Sequence, residues 1–213
     1  LLSHRGMNTL LLLAIFINYT LGSDKMIQIV LYQSQYEPQL KELLRGFEAE
    51  VEHRLRWPFP SAEISPFDDP ESLDENDQDD ELMEMVEEGA EDALSQINQG
   101  NDDCYLALSP EGNVIGFQVT HLYHNQADKH VKAGDLELSR LYVHPDFRKN
   151  GIGRMLDQDC LERVKTVDGI NRVITFVEKN NSPNIALKRD LGFRKSTGYQ
   201  DGARVYHFFQ RTI

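Results

Sequence analysis

Arg148, Lys149, Gly151, Gly153 and Arg154 fall within one short loop, and residues of these types at this spacing can hold a phosphate. Glycines let the backbone approach an anion closely, successive N–H groups converge on it, and the positive end of a following helix dipole faces it. The three basic side chains add charge. Upstream lies an apolar, β-branched-rich run, Leu136-Glu137-Leu138-Ser139-Arg140-Leu141-Tyr142-Val143, and then a proline-marked turn, His144-Pro145-Asp146-Phe147. A strand, a basic glycine loop and a helix start in that order imply a small ligand carrying a pyrophosphate.

Elimination narrows the ligand. Leu156 stands where the dinucleotide fingerprint G-x-G-x-x-G needs its third glycine, and no G-x-x-x-x-G-K-[ST] occurs anywhere in the chain. What remains resembles the Arg/Gln-x-x-Gly-x-Gly/Ala signature of the GCN5-related N-acetyltransferase (GNAT) family, carried by Arg148, Gly151 and Gly153. The resemblance extends upstream to Leu141-Tyr142-Val143-His144-Pro145. Downstream it takes in Val173 to Glu178, and Asn181 through Leu191-Gly192-Phe193, similar to the family's N-x-x-A-x-x-x-Y-x-x-x-G-F element. It covers about residues 103–197 well and the N-terminal half only in outline.

The resemblance implies a mixed α/β fold: a largely antiparallel central sheet flanked by helices, the acyl-CoA N-acyltransferase fold. It also implies acetyl transfer from acetyl-CoA to a primary amine by direct attack in a ternary complex. Carried onto this sequence, the backbone of Leu141, Tyr142 and Val143 would meet the pantetheine amides. The loop of Arg148, Lys149, Asn150, Gly151, Ile152, Gly153 and Arg154 would take the pyrophosphate, and Asn181 would contact the cofactor arm. A second reading of Asn181 is a residue that satisfies local backbone at the start of a helix.

The chemistry needs a base for the amine, a donor to polarise the thioester carbonyl and an acid or charge for the leaving thiolate. Glu137 and Glu178 are the base candidates, beside water-mediated deprotonation with no single essential base. Strict alternation puts Glu137, Ser139 and Leu141 on one face of the strand, and Leu136, Leu138 and Arg140 on the other. The position usually filled by a tyrosine acid is Lys188 here. Its reference pKa of about 10.4 is close to tyrosine's of about 10, so it can donate a proton to a thiolate or stabilise it by charge. The competing reading of Lys188 is a surface lysine, and Tyr199 or Tyr206 are alternative acids. The family's alanine is replaced by Asn184.

The elements that must position these groups follow from patterning. Met26 to Gln33 reads as a strand, followed by a helix from about Tyr36 with Pro38 in its first turn. Arg56 to Asp80 reads as loop, broken by Pro58, Pro60, Pro66 and Pro70, and a second helix spans Glu81 to Gln99. Cys104–Leu108 and Val114–Thr120 form a hairpin, with Gly116 permitting close backbone approach or a bulge. A strand at Asp135–Val143, a helix to about Val167 and a strand at Arg172–Val177 come next. A short helix has Ser182 as N-cap, Pro183 at its start and Gly192 past its end. Strands from Phe193 and over Ala203–Phe209 close the sheet.

With 213 residues and 40% apolar content the chain suits a single domain. Two cysteines cannot build a disulfide framework, and the seven histidines show no metal-ligand spacing, so no metal is expected; His121 and His124 read as ordinary polar side chains. The net charge of −13 is uneven: no Lys or Arg lies between Trp57 and Asp128, where nineteen of the 35 acids fall. This opposes nucleic-acid binding and points the acidic loop and helix of residues 66–93 towards something cationic. Leu10–Ile17 is an apolar run too short for a membrane span of about 20 residues. Residues 1–25 therefore read as an extension, signal-like or preceding a start at Met26, with the domain over 26–213.

These readings converge on a cytoplasmic N-acetyltransferase acting on a small, polyamine-like amine, without membrane association and with a homodimer left open. A non-catalytic acetyl-CoA-binding or protein-interaction module, and a protein N-acetyltransferase, are the alternatives.

Overall fold

A computed structural model describes residues 17–21, 25–56, 75–126, 129–201 and 204–213. The strands are β1 (Ile17–Leu21), β2 (Lys25–Leu31), β3 (Asp102–Leu108), β4 (Val114–Leu122), β5 (Asp135–Val143), β6 (Arg172–Glu178), β7 (Arg194–Asp201) and β8 (Arg204–Thr212). They form one sheet in the order β1-β2-β3-β4-β5-β6-β8-β7. Only β5 and β6 run parallel; the other neighbours are antiparallel. The mixed, largely antiparallel sheet is the architecture expected.

Helices cover both faces. On one side α1 (Glu37–Arg56) and α2 (Glu75–Asn98) bury Leu40, Leu43, Leu44, Ala90, Ala93, Leu94 and Ile97 against Cys104, Leu106, Phe117, Val119 and Tyr142. Those helix positions recur at three- and four-residue steps, the stripe that turns one face to a core. On the other side α3 (Ile152–Val164) and α4 (Ser182–Asp190) pack Leu156, Cys160, Leu161, Val164 and Ile185 on the sheet. No helix among the described residues is long and apolar enough to cross a membrane.

Four expectations change. Ile17–Leu21, assigned from sequence to the extension, pairs with β2 from Ile17↔Ile29 to Leu21↔Lys25. The second helix starts at Glu75 instead of Glu81; its acidic first turns suit the positive end of the helix dipole. The cap of α4 is Asn181, whose side chain accepts from the Asn184 N–H at 3.3 Å, and not Ser182. Finally, the acidic stretch does have compensating bases. They come from α1, where Lys41 pairs with Glu87 at 2.7 Å and Glu91 at 3.0 Å and Arg45 Nη2 reaches Glu87 at 2.9 Å. Together Arg45 and Lys41 hold the Glu87 carboxyl down to about 2. Of the acidic stretch 66–93, residues 66–74 lie outside the described residues.

At α4's far end, Gly192 at φ 82° lets its own N–H reach Arg189 O and the Phe193 N–H reach Lys188 O, both at 3.0 Å. This glycine-terminated stop is the one expected from sequence.

Candidate functional site

The site forms where β5 and β6 part. Their pairing runs only from Asp135↔Arg172 to Glu137↔Ile174. Beyond it, Thr175 Oγ1 donates to Leu138 O at 2.8 Å and the two strands diverge. On its other edge β5 stays paired with β4 up to Gly116↔Val143. A Cβ on Gly116 would lie 2.9 Å from Tyr142 O, so glycine is what lets β4 approach β5 so closely.

A bulge shifts β5 at the point of divergence. Val119 pairs with Arg140 and Thr120 with Leu138, which leaves Ser139 without an opposite number. Its hydroxyl donates to Val119 O at 3.1 Å. The extra residue breaks the strict alternation assumed from sequence. Leu136 and Leu138 face α3 and α4, but so do Leu141 and Val143, while Arg140 and Tyr142 face α1. Glu137 therefore shares the α1 side with Arg140 and Tyr142, not with Leu141.

The bulge also settles which backbone groups are offered at the open edge. His144 N–H donates to Ile115 O at 2.9 Å. Alternate residues point their peptide groups to opposite edges, so Tyr142 and His144 are turned to β4, and Leu141 and Val143 to the splay. Tyr142 is thus removed from the expected backbone ladder. Arg148 Nε donates to Val143 O at 2.8 Å.

The glycine loop begins α3. Gly151, at φ 77°, is its N-cap and carries no side chain to cap it. A residue with a Cβ is disfavoured at that φ. The first-turn N–H groups of Ile152, Gly153 and Arg154 have no side-chain acceptor from the cap, which suits an anion. Lys149 also has positive φ, 63°. Asn150 Nδ2 closes the turn on Phe147 O at 3.2 Å and Arg148 O at 3.3 Å. The cations divide: Arg148 pairs with Glu50 of α1 and lies 5.2 Å from the Tyr142 ring centre, and Arg154 pairs with Asp190 of α4 at 2.6 Å. Lys149 has no carboxylate partner among the described residues.

Glu137 is held on the other side of the sheet. Tyr123 Oη donates to Glu137 Oε2 at 2.7 Å. Burial pushes the Glu137 carboxyl above the ordinary carboxylate range; the Tyr123 hydrogen bond, His121 and Arg140 pull it back, and Asp102 adds to the rise. Arg140 is engaged in turn by Glu48 of α1 at 3.4 Å. Glu178, the other base candidate, sits four residues further along β6, opposite Tyr206 of β8. The side chain of Tyr199 lies outside the described residues.

Lys188 is no surface lysine. It is 1% exposed, and its Nζ donates to both oxygens of Asp157 on α3, at 2.9 and 2.7 Å, with Asp157 fully buried. Burial pushes the Asp157 carboxyl up while the Lys188 charge pulls it down. Sequence reasoning did not find Asp157, because a partner 31 residues away leaves no local signal. It also passed over His121, whose Nδ1 lies 2.6 Å from Asp102 Oδ1. Only strand register reveals that contact.

The chain has relatives. Residues 63–193 match the model of the acetyltransferase (GNAT) family. A mycothiol acetyltransferase of Saccharomonospora viridis is 33% identical over 92 residues, 43% of this chain and 30% of that protein. The ribosomal protein bS18-alanine N-acetyltransferase of Salmonella typhimurium is 29% identical over 100 residues, 47% of this chain and 61% of that protein. The chain thus spans less than two thirds of the length of these curated relatives. Among solved structures, the PaiA N-acetyltransferase of Thermoplasma acidophilum in complex with coenzyme A superposes with a TM-score of 0.57 at 17% identity, over 88% of this chain and 99% of that one. The Escherichia coli ribosomal-protein-S18-alanine N-acetyltransferase gives 0.55 at 16% identity, over 88% and 94%. These two show a shared fold.

Proposed function

Because this chain belongs to the acetyltransferase (GNAT) family, we propose that it transfers an acetyl group from acetyl-CoA to a primary amine. The observation that carries the reading is the pairing of an open β5 edge with a half-buried carboxylate at its root. The edge offers Leu141 and Val143, and Glu137 stands on the opposite face where β5 and β6 begin to part. A donor reaching the splay from the glycine loop would meet an amine held on the α1 side.

The residues divide the work as follows. The uncapped first turn of α3 binds the pyrophosphate, and Lys149, which pairs with no carboxylate among the described residues, supplies charge. Leu141 and Val143 align the pantetheine arm, and a backbone N–H in the splay polarises the thioester carbonyl. Glu137, its carboxyl raised above the ordinary range by burial, takes the proton from the ammonium so that the neutral amine can attack. The C–N bond forms, the C–S bond breaks, and the departing thiolate takes the second proton that the attacking nitrogen sheds. Asn181 is committed to capping α4, which favours its local reading, and Lys188 is committed to Asp157.

For the acceptor, we favour a small cationic amine. Lys41 and Arg45 neutralise part of α2, whereas Glu84, Glu88 and Asp92, beside Glu87 and Glu91 along one shallow groove, pair with no base among the described residues. Such a field raises the local concentration of polycations. A protein N-terminal amine is the second reading, favoured by the activity named for the Salmonella relative. The test is free thiol release from acetyl-CoA with a polyamine, a neutral-tailed amine and an alanine-started peptide. Release with the polyamine at the lowest KM supports the proposal. Affinity for acetyl-CoA without release from any acceptor would make the chain a binding module.

A further inference from the structure

Asp102, His121 and Glu137 stand in one row across three strands. The register sets Asp102 of β3 opposite His121 of β4, and His121 opposite Glu137 of β5. Residues directly opposite on antiparallel strands share a face with Cβ atoms about 4.5–5.5 Å apart, so the row reads carboxylate, imidazole, carboxylate. His121 Nδ1 lies 2.6 Å from Asp102 Oδ1; the Asp102 side chain is 9% exposed and that of His121 38%. A carboxylate can only accept here, so the proton of neutral His121 sits on Nδ1 and the lone pair is left at Nε2.

A second contact ties the ring to Glu137. His121 packs edge-on against Tyr123, centroids 4.6 Å apart and planes at 77°, and it is the Tyr123 hydroxyl that donates to Glu137. Besides the Asp135–Arg172 pair two residues earlier along β5, the charged groups flanking Glu137 on this face are Arg140 from β5 and its partner Glu48 from α1. They occupy the α1 flank of Glu137, whereas His121 lies on its β4 flank and reaches solvent.

Each turnover of an ammonium with a thioester yields an amide, a thiol and one proton. Glu137 can store that proton once and must lose it before it can act again. We propose that His121, oriented by Asp102, takes the proton from Glu137 and passes it to solvent, with Asp102 as a positioning residue. This role rests on the N-acetyltransferase reading above. The carboxyl O–H breaks, an Nε2–H bond forms, and release to water restores both groups. A histidine suits the task because its charge changes near neutral pH.

Two measurements test it. The first needs no turnover: ring 15N spectra of His121 should show the Nδ1–H tautomer in the neutral form, and Glu137→Gln should move the Nε2 resonance by removing the facing carboxylate. An Nε2–H tautomer, or an Nε2 resonance unmoved by Glu137→Gln, overturns the proposal. The second is kinetic. His121→Gln should lower kcat about 100-fold at neutral pH, the low end for lost acid–base catalysis, with acetyl-CoA affinity and melting temperature unchanged. Added imidazole should restore part of the loss. A merely structural His121–Asp102 tie would lower melting temperature and show no imidazole rescue, and that outcome also overturns it. If the native protein releases no thiol with any amine, the N-acetyltransferase reading fails, while the spectra still decide whether the row is coupled.

Discussion

Replacing Lys188 by methionine should destabilise this protein heavily, and replacing Asp157 together with it should not. Asp157 receives two hydrogen bonds from Lys188 at 2.7 and 2.9 Å, and both side chains are almost wholly excluded from water. Lys188→Met keeps the length and apolar stem but leaves Asp157 without its counter-charge. Breaking a buried pair from one side costs about 3–5 kcal/mol. In a chain of this size each kcal/mol shifts the melting temperature by roughly 2–4 °C, so the single variant should melt roughly 6–20 °C lower. Asp157→Leu with Lys188→Met removes both charges and fills the space with apolar groups, a change that is often neutral or stabilising by about 1–4 kcal/mol. Thermal melts of the native protein, both single variants and the double variant close the cycle and give the coupling energy. A Lys188→Met variant that loses less than about 1 kcal/mol would refute the reasoning, because no buried pair can be broken so cheaply. The double variant also separates the two roles of Lys188. If it is stable and turns over normally, the lysine is structural; if it is stable and its kcat collapses, the ammonium serves the leaving thiolate after all.

Gly151→Asp should abolish acetyl-CoA binding by calorimetry while leaving a folded protein, since it adds a carboxylate at the α3 cap and strains a φ of 77°. Unchanged affinity in a folded variant would remove the loop as the pyrophosphate site. In the pH profile of kcat/KM, the base must be ionised to act and burial raises Glu137. The acidic limb should therefore lie above the ordinary glutamate value of about 4.3 and should vanish in Glu137→Gln. Neutralising Glu84, Glu88 and Asp92 to the corresponding amides should raise KM for a polyamine at low salt and flatten its salt dependence. KM for a neutral-tailed amine should stay where it was, because screening acts over about 8 Å at physiological ionic strength. Equal salt responses of the two amines would make the acidic face a solubility feature.

The glycine loop, the proline-led helix α4 and its Gly192 stop were legible because each is local chemistry: a turn, a cap or a positive φ leaves its mark on adjacent residues. The same holds for the hairpin of β3 and β4 and for the buried stripe of α1. The candidate base was legible as a residue but not as a direction. Nothing in Leu138-Ser139-Arg140 announces a bulge, since its cause lies in how β4 and β5 pair. Asp157, and the Asp102–His121 contact, escaped for a related reason, their partners being joined only by tertiary packing or strand register. The acids of α2 looked uncompensated because their counter-ions, Lys41 and Arg45, lie on another helix more than forty residues upstream of Glu87.

The bulge at Ser139 makes the separation of Glu137 from Val143 a matter of parity. An even interval along a regular strand would leave both side chains on one side of the sheet. One supernumerary residue puts them on opposite sides, so a proton acceptor and a donor-aligning edge can belong to a single strand without crowding one another. Substitution at either end leaves that arrangement in place, because the pairing with β4 sets it. Deleting Ser139 would remove the bulge yet leave an odd interval between Glu137 and Val143, so Leu141 and Val143 would still face α3 and Tyr142 α1. For β5, the register held against β4 constrains the site as firmly as which residues the strand carries.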